Sequence, residues 1–183
     1  MMMYRSYQRG FTLMELLKVV GIMAIVLSFG VPSMASLIRS NQIVGYTNDF
    51  ISTVQTARAE ALNNVVQVTV CKSLDQASCD AAASWNDGWI AFIDDDEDEI
   101  RDLAGTPEAL IHAHQALADS YTLQSAAFAD WIAFRPNGVT LGSVGNAGTF
   151  SLCSDEGANY GRDISITRTG SPLVGENAVG ACP

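Results

Sequence analysis

The chain has few positively charged residues. Its 183 residues include 10 Lys and Arg against 20 Asp and Glu, which gives a formal net charge of −10 and a pI near 4.4. The phosphates of a nucleic acid are bound through Lys and Arg, so this balance argues against a nucleic-acid partner. The imbalance is larger beyond residue 40, where 19 acidic and only six basic residues lie.

Charged residues of either sign are also scarce. They make up 16% of the chain, whereas apolar residues make up 48%. A disordered chain has the opposite composition, with little apolar content and much charge, so that class is excluded. The length allows one compact domain with an appendage, and the sequence contains no visible internal repeat or low-complexity linker.

Motifs for catalysis are missing as well. The chain has two histidines, and it carries no Gly-x-Ser-x-Gly motif, no Cys/His nucleophile arrangement and no Gly-rich phosphate loop. The acidic residues are too numerous in one loop to single out an acid/base pair. We therefore predict that the protein is not an enzyme and needs no cofactor.

The first forty residues hold a long apolar run. From Val19 to Ile38 there are 20 consecutive residues without a charge, and a helix of that length covers roughly 30 Å, enough to cross a bilayer core. Arg5 and Arg9 on the short N-terminal side favour a cytoplasmic N-terminus. A cleaved secretory signal peptide is the alternative, but the run is long for one and Glu15 lies near its start.

The string Gly10-Phe11-Thr12-Leu13-Met14-Glu15 resembles the prepilin signature of type IV pilins and of the pseudopilins of type II secretion. In that family a membrane prepilin peptidase cuts after the glycine and methylates the new N-terminal residue. The resemblance implies that residues 1–10 are a leader peptide, that cleavage follows Gly10 and that Phe11 is methylated. It also implies prepilin peptidase and other pilins, both major and minor, as partners.

Glu15 is a candidate assembly residue, because a carboxylate within an apolar segment is costly and indicates a function. After cleavage, Glu15 of one subunit could neutralise the Phe11 amine of a neighbour and set the axial register of a filament. The alternative pairs Glu15 with Lys18, three residues further along the same helix. Most family members are apolar at the position of Lys18, and the sequence does not explain this residue.

Beyond the apolar run, the sequence predicts an α+β fold. Apolar residues at three- or four-residue steps extend the helix to about Leu62, and the pattern then changes to a period of two. The expected parts are a leader (1–10), a transmembrane and filament-core half of the helix (11–38), a periplasmic half (39–64) and an antiparallel β domain (65–183). Strands are predicted at 65–71, 88–93, 109–114, 131–135, 149–153 and 163–168.

Four cysteines lie in the part predicted to be outside the membrane. In an oxidising periplasm this even number predicts two disulfides, for which three connectivities exist. We predict Cys71 with Cys79, across a short polar turn, and Cys153 with Cys182, which would tie the C-terminal tail to a strand. A zinc site is the rival, but no Cys-x-x-Cys motif occurs and both histidines are distant in sequence.

A second resemblance covers most of the β domain. Residues 85–94 resemble the W-x-x-G-W-x-x-F-x-D segment of the GspH/FimT family of minor pilins and pseudopilins, and segments 134–138, 150–153 and 162–166 follow in the order of that family. The resemblance implies a pilin fold, with the long helix packed on an antiparallel sheet. It also implies a low-abundance filament subunit, located first in the bacterial inner membrane with its C-terminal domain in the periplasm.

Three roles compete within that family. FimU-type subunits prime type IV pilus assembly, GspH-like subunits act in the type II secretion pseudopilus, and FimT-like subunits bind DNA through a G-R-x-R stretch. The matching position here is Gly170-Ser171-Pro172-Leu173, which contains no Arg and argues against DNA uptake. The two disulfides and the Gly-rich β domain favour a FimU-type minor pilin, with the pseudopilus as the alternative.

The densest charge lies at residues 94–99. Asp94, Asp96 and Asp98 match the first three ligand positions of a calcium loop, but Glu99 stands where the motif has Gly and Gly105 where it has Glu. A solvated hairpin tip is the simpler interpretation. Calcium therefore stays an alternative to the absence of any cofactor.

Overall fold

A long N-terminal helix precedes nine strands in the computed structural model, which describes residues 10–155, 161–175 and 182. The helix, α1, spans Leu13–Asn64, close to the predicted range. The predicted leader, apart from Gly10, lies outside the described residues. The strands are β1 (Gln67–Lys72), β2 (Trp89–Asp94), β3 (Leu110–His114), β4 (Tyr121–Gln124), β5 (Trp131–Phe134), β6 (Thr140–Gly142), β7 (Gly148–Ser154), β8 (Arg162–Ile166) and β9 (Pro172–Val174).

The chain divides into two compact units, 1–41 and 42–183. In the first unit, every described side chain from residue 11 to residue 29 is exposed, although most of them are apolar. The sequence predicted a transmembrane segment over residues 11–38. Among the described residues, no helix has the combination of length and apolarity that crossing a membrane requires.

In the second unit the strands form two antiparallel sheets. One sheet has the order β3-β2-β1-β5-β6 and the other has the order β4-β7-β8-β9. The predicted α+β class is confirmed, and each of the six predicted strands is found within a few residues. The sequence predicted an antiparallel β domain without dividing it into two sheets. It missed β4, β6 and β9, which have only three or four residues each and therefore give little alternation to detect.

The apolar stripe predicted on the distal half of the helix faces this β domain. Ile43, Phe50, Val54, Ala57 and Ala61 are all buried. They recur at steps of three, four or seven residues, which places them on one side of an α-helix. This face provides the core on which the sheets rest.

Both predicted disulfides are present. Cys71 is bonded to Cys79, with their Cα atoms 5.6 Å apart, and Cys153 is bonded to Cys182, with their Cα atoms 5.5 Å apart. The first closes a loop at the end of β1, and the second ties residue 182 to β7. Each bond restricts the unfolded chain, and the longer loop contributes more, about 3 to 4 kcal/mol.

Phe50 lies where helix and sheets meet. Its ring centroid lies 5.2 Å from that of Trp89 on β2, 4.5 Å from that of Phe150 on β7 and 6.0 Å from that of Trp85 in the short 3₁₀ turn Trp85–Asp87. The indole of Trp89 also donates a hydrogen bond of 3.2 Å to the Thr53 hydroxyl, one turn further along the helix. The two sheets are therefore joined to the helix through one aromatic cluster.

We expect Phe50→Ala to lower the free energy of unfolding by about 3 to 5 kcal/mol, because the substitution leaves a cavity between two sheets that cannot both collapse into it. Urea unfolding of the full chain in detergent, followed by tryptophan fluorescence, measures the change. Val44→Ala is the control, since Val44 lies on the same helix and is 43% exposed. Its effect should stay within about 0.5 kcal/mol, and equal losses in the two variants would contradict the role assigned to Phe50.

Candidate functional site

The predicted cleavage site at Gly10 and Phe11 is followed directly by a helix cap. The Glu15 carboxylate accepts hydrogen bonds from the backbone N–H of Thr12 at 3.0 Å and from the Thr12 hydroxyl at 3.1 Å. The N–H of Glu15 donates in return to the Thr12 hydroxyl at 3.2 Å. This reciprocal arrangement is a capping box, which satisfies N–H groups that the first turn of a helix leaves without partners.

The capping box is a role of Glu15 that the sequence analysis missed, although the Thr-x-x-Glu spacing of Thr12 and Glu15 is its usual signature. The sequence suggested either a bond to a neighbouring subunit or a pair with Lys18. In the structure, the Glu15 carboxylate accepts its hydrogen bonds from Thr12. Gly10, Phe11 and Glu15 are all exposed, so the cleavage position and the carboxylate lie on the same accessible segment.

The acidic loop between β2 and β3 is organised around Asp94. This residue is completely buried, and its carboxylate accepts hydrogen bonds from the Thr69 hydroxyl at 2.6 Å and the Gln67 amide at 3.0 Å, both on β1. It also accepts from the backbone N–H groups of Asp98 and Glu99, each at 3.2 Å. The carboxylate thus ties the loop to the sheet.

Glu108, near the end of the loop, completes a group of three carboxylates. It is 6% exposed and accepts hydrogen bonds from the N–H groups of Asp95 at 2.9 Å and Asp102 at 3.0 Å. One carboxylate oxygen from each of Asp94, Asp96 and Glu108 lies within 4.8 Å of the other two.

Two of the three sequence-predicted metal ligands are therefore brought together, and Glu108 takes the place of the third. Asp98 lies outside the group, and its carboxylate accepts from the Ile100 N–H at 2.8 Å. Glu99 has a φ of 64°, the left-handed conformation that the calcium-loop motif reserves for Gly at this position. No sequence motif indicates Glu108, because it lies three residues beyond Gly105, the position where the calcium-loop motif requires a carboxylate.

Three carboxyl groups of the loop, those of Asp96, Glu99 and Glu108, have pKa values above their ordinary range. Partial removal from water raises the pKa of Asp96, and repulsion from Asp98, Asp102 and Asp94 adds to it. Burial also raises the pKa of Glu108, against the opposing effect of the two backbone N–H donors. For Glu99 the cause is again desolvation, followed by repulsion from Asp94 and Asp98. Negative charge in this loop is therefore costly.

Among the described residues, the two histidines of β3 do not belong to the group of possible metal ligands. The ring of His114 stacks on that of Trp89 with centroids 4.0 Å apart, and its Nε2 lies 3.6 Å from an Asp49 carboxylate oxygen on α1. The pKa of His112 is lowered by burial. These contacts make His114 a packing residue between the edge strand and the helix.

The position at which the DNA-binding relatives carry G-R-x-R is a turn packed against the helix. Arg58 donates from its Nε to the Thr169 carbonyl at 2.9 Å. A Cβ at Gly170, where φ is 76°, would lie 2.7 Å from the Arg58 side chain. Arg58 thus fastens the turn to α1.

Comparison with known proteins identifies both parts of the chain. The family model of the type II transport protein GspH matches residues 46–170, and that of the prokaryotic N-terminal methylation motif matches residues 5–31. The chain is 26% identical over 105 residues to the type IV major fimbrial protein FimA of Dichelobacter nodosus, strain VCS1703A. That match covers 57% of this chain, and the chain spans only 57% of the length of this relative.

The fold has relatives among solved structures. The type IV minor pilin FimU of Pseudomonas aeruginosa PAO1 superposes with a TM-score of 0.53 at 18% identity, which covers 78% of this chain and 93% of that one. A second crystal form of FimU gives a TM-score of 0.50. The GspH model spans more than half of the chain and follows an N-terminal methylation motif, and the chain therefore belongs to the GspH/FimT family of type IV pilin-like proteins.

Proposed function

We propose that the protein is a minor pilin, which helps to initiate assembly of a type IV pilus and is incorporated into it. Prepilin peptidase cleaves the chain after Gly10 and methylates Phe11. The observation that carries this proposal is the order of the two matches, with a methylation motif at 5–31 directly before a GspH domain at 46–170. Before assembly, the protein is a single-pass inner-membrane protein with its β domain in the periplasm.

The exposed apolar side chains of the first unit support this course of events. Leu13, Leu16, Leu17, Ile22 and Ile25 are each at least 59% exposed in the single chain. Such a surface needs either lipid or other helices around it. Transfer from the bilayer into a bundle of pilin helices keeps the surface out of water throughout.

The hydrogen bonding of Glu15 supports a second role for this residue, in filament assembly, in addition to the capping box. Both hydrogen bonds from Thr12 go to the same oxygen, Oε2, which leaves Oε1 without a hydrogen-bond partner among the described residues. The amine of a processed Phe11 in an adjacent subunit is a cation, and its bond to a carboxylate in a water-poor bundle is a charge-assisted one. The cap would hold the carboxylate in place for this bond.

A pseudopilin of type II secretion is the second candidate, because the matching family model is described as the type II transport protein GspH. The likeness to FimU concerns the fold, and it favours the pilus as the first candidate. DNA uptake is a weaker candidate, since the turn at Gly170 lacks the arginine pair and the part beyond residue 40 is strongly acidic. We propose no enzymatic activity, in keeping with a structural family.

We expect Gly10→Ala to leave the precursor uncleaved, because the peptidase of this family recognises the glycine before the cut. Immunoblots of membrane fractions should show one band about ten residues heavier than the mature wild type. Ser6→Ala within the leader is the control and should be processed. A normal mature band from Gly10→Ala would refute the cleavage position.

A pair of substitutions separates the two roles of Glu15. Glu15→Gln removes the charge but keeps a side chain that can complete a capping box, whereas Thr12→Ala removes the cap and keeps the charge. We expect both variants to be processed and Glu15→Gln alone to be largely lost from sheared pili, as measured by immunoblot. The converse result, with loss in Thr12→Ala and normal incorporation of Glu15→Gln, would limit Glu15 to capping.

The quantity of sheared surface pili in a strain without this gene tests the role itself. We expect a severe loss of pili that the intact gene restores. Normal pili together with a defect in protein secretion would instead establish the pseudopilus. Normal pili with normal secretion and failed transformation would establish DNA uptake.

A further inference from the structure

The spacing of the carboxylates of Asp94, Asp96 and Glu108 suits a calcium ion. Their nearest oxygen atoms all lie within 4.8 Å of one another. Two oxygens bound to one Ca²⁺ at 2.3–2.6 Å are at most about 4.6–5.2 Å apart, so these separations are compatible with one shared ion. Calcium takes several carboxylate and carbonyl oxygens in a flexible geometry, whereas magnesium usually keeps several of its water molecules, so a group of three carboxylates favours calcium.

An independent observation comes from Gln67 on β1. This side chain is 3% exposed, and its Nε2 donates to the Asp94 carboxylate at 3.0 Å. Its Oε1, on the same amide, is buried and has no hydrogen-bond partner among the described residues. A buried carbonyl oxygen without a partner is costly, and a side-chain amide oxygen is a ligand that calcium accepts. A cation beside Asp94 would supply the missing partner.

The positive charge nearest in sequence does not neutralise the group. Arg101, within the loop, donates its Nη1 to the Ala77 carbonyl at 2.6 Å and its Nη2 to the Glu108 carbonyl at 2.9 Å. The ion pairs of Lys72 with Asp130 and of His114 with Asp49 do not involve these three carboxylates. Two of the three carboxylates are thus buried without a cationic side chain bound to them, and a bound cation would offset the cost of burying their charge.

We propose that the β2–β3 loop binds one calcium ion through Asp94, Asp96 and Glu108, with the Oε1 atom of Gln67 as a further oxygen ligand. Asp94 and Glu108 are fixed by hydrogen bonds from the sheet and the loop, and Asp96 closes the site from the exposed side. Calcium would join the two ends of the loop and relieve the repulsion between its carboxylates. The inference stands apart from the proposed role in assembly.

Calorimetric titration of CaCl2 into EDTA-treated full chain in detergent, at pH 7 and about 0.1 M NaCl, tests the proposal. We expect one ion per chain with a dissociation constant at or below about 1 mM, the range of extracellular calcium modules. Thermal unfolding should shift upward with calcium and much less with the same concentration of MgCl2. No heat of binding and no thermal shift with calcium would overturn the proposal, and equal responses to both ions would overturn the choice of calcium.

Two neighbouring substitutions provide the matched comparison. Asp96→Asn and Asp95→Asn each remove one exposed charge from the same loop, but only Asp96 belongs to the group of three. We expect Asp96→Asn to weaken calcium binding about tenfold or more, as loss of a ligand does, and Asp95→Asn to change it less than about threefold, as a screened surface charge does. Equal weakening by both would mean diffuse attraction to an acidic loop and would contradict a site.

Discussion

The ring of Phe50 is the contact through which the helix holds both sheets. Trp89 belongs to the five-stranded sheet and Phe150 to the four-stranded sheet, and the Phe50 ring lies within 5.2 Å of both, centroid to centroid. Neither sheet alone could cover this ring, because a single sheet would leave part of the apolar helix face exposed to water. The orientation of the β domain on the distal helix thus depends on aromatic packing, to which the bond from Arg58 to the Thr169 carbonyl adds.

The same packing fixes the acidic loop, which lies at the far end of β2 from the aromatic cluster. Gln67 and Asp94 are paired across β1 and β2 in the antiparallel register that places Trp89 opposite Lys72. A shift of that register by one residue would turn Trp89 out of the core and would also separate Asp94 from Thr69 and Gln67. The buried carboxylate is therefore held by the same strand pairing that the core demands.

Features that depend on local periodicity could be predicted from the sequence. The helix, the stripe from Ile43 to Ala61 and the longer strands each repeat a pattern over several turns or residue pairs. The disulfide pairing could also be predicted, because the turn between Cys71 and Cys79 is short. Glu108 could not, since its place beside Asp94 follows from the path of the intervening loop, which has no regular pattern. The capping box could also have been predicted, because Thr12 and Glu15 have the Thr-x-x-Glu spacing that is typical of one.

The capping role of Glu15 and its proposed role in assembly are compatible for a physical reason. A capping box lowers the entropy that the carboxylate still has to lose when a second partner binds, because the side chain already lies in one conformation. The positive end of the helix dipole next to it favours a negative charge at this position. The amine of a processed Phe11 in a neighbouring subunit would then meet a carboxylate that is already oriented. Local helix chemistry at Thr12 would thereby prepare the contact between subunits.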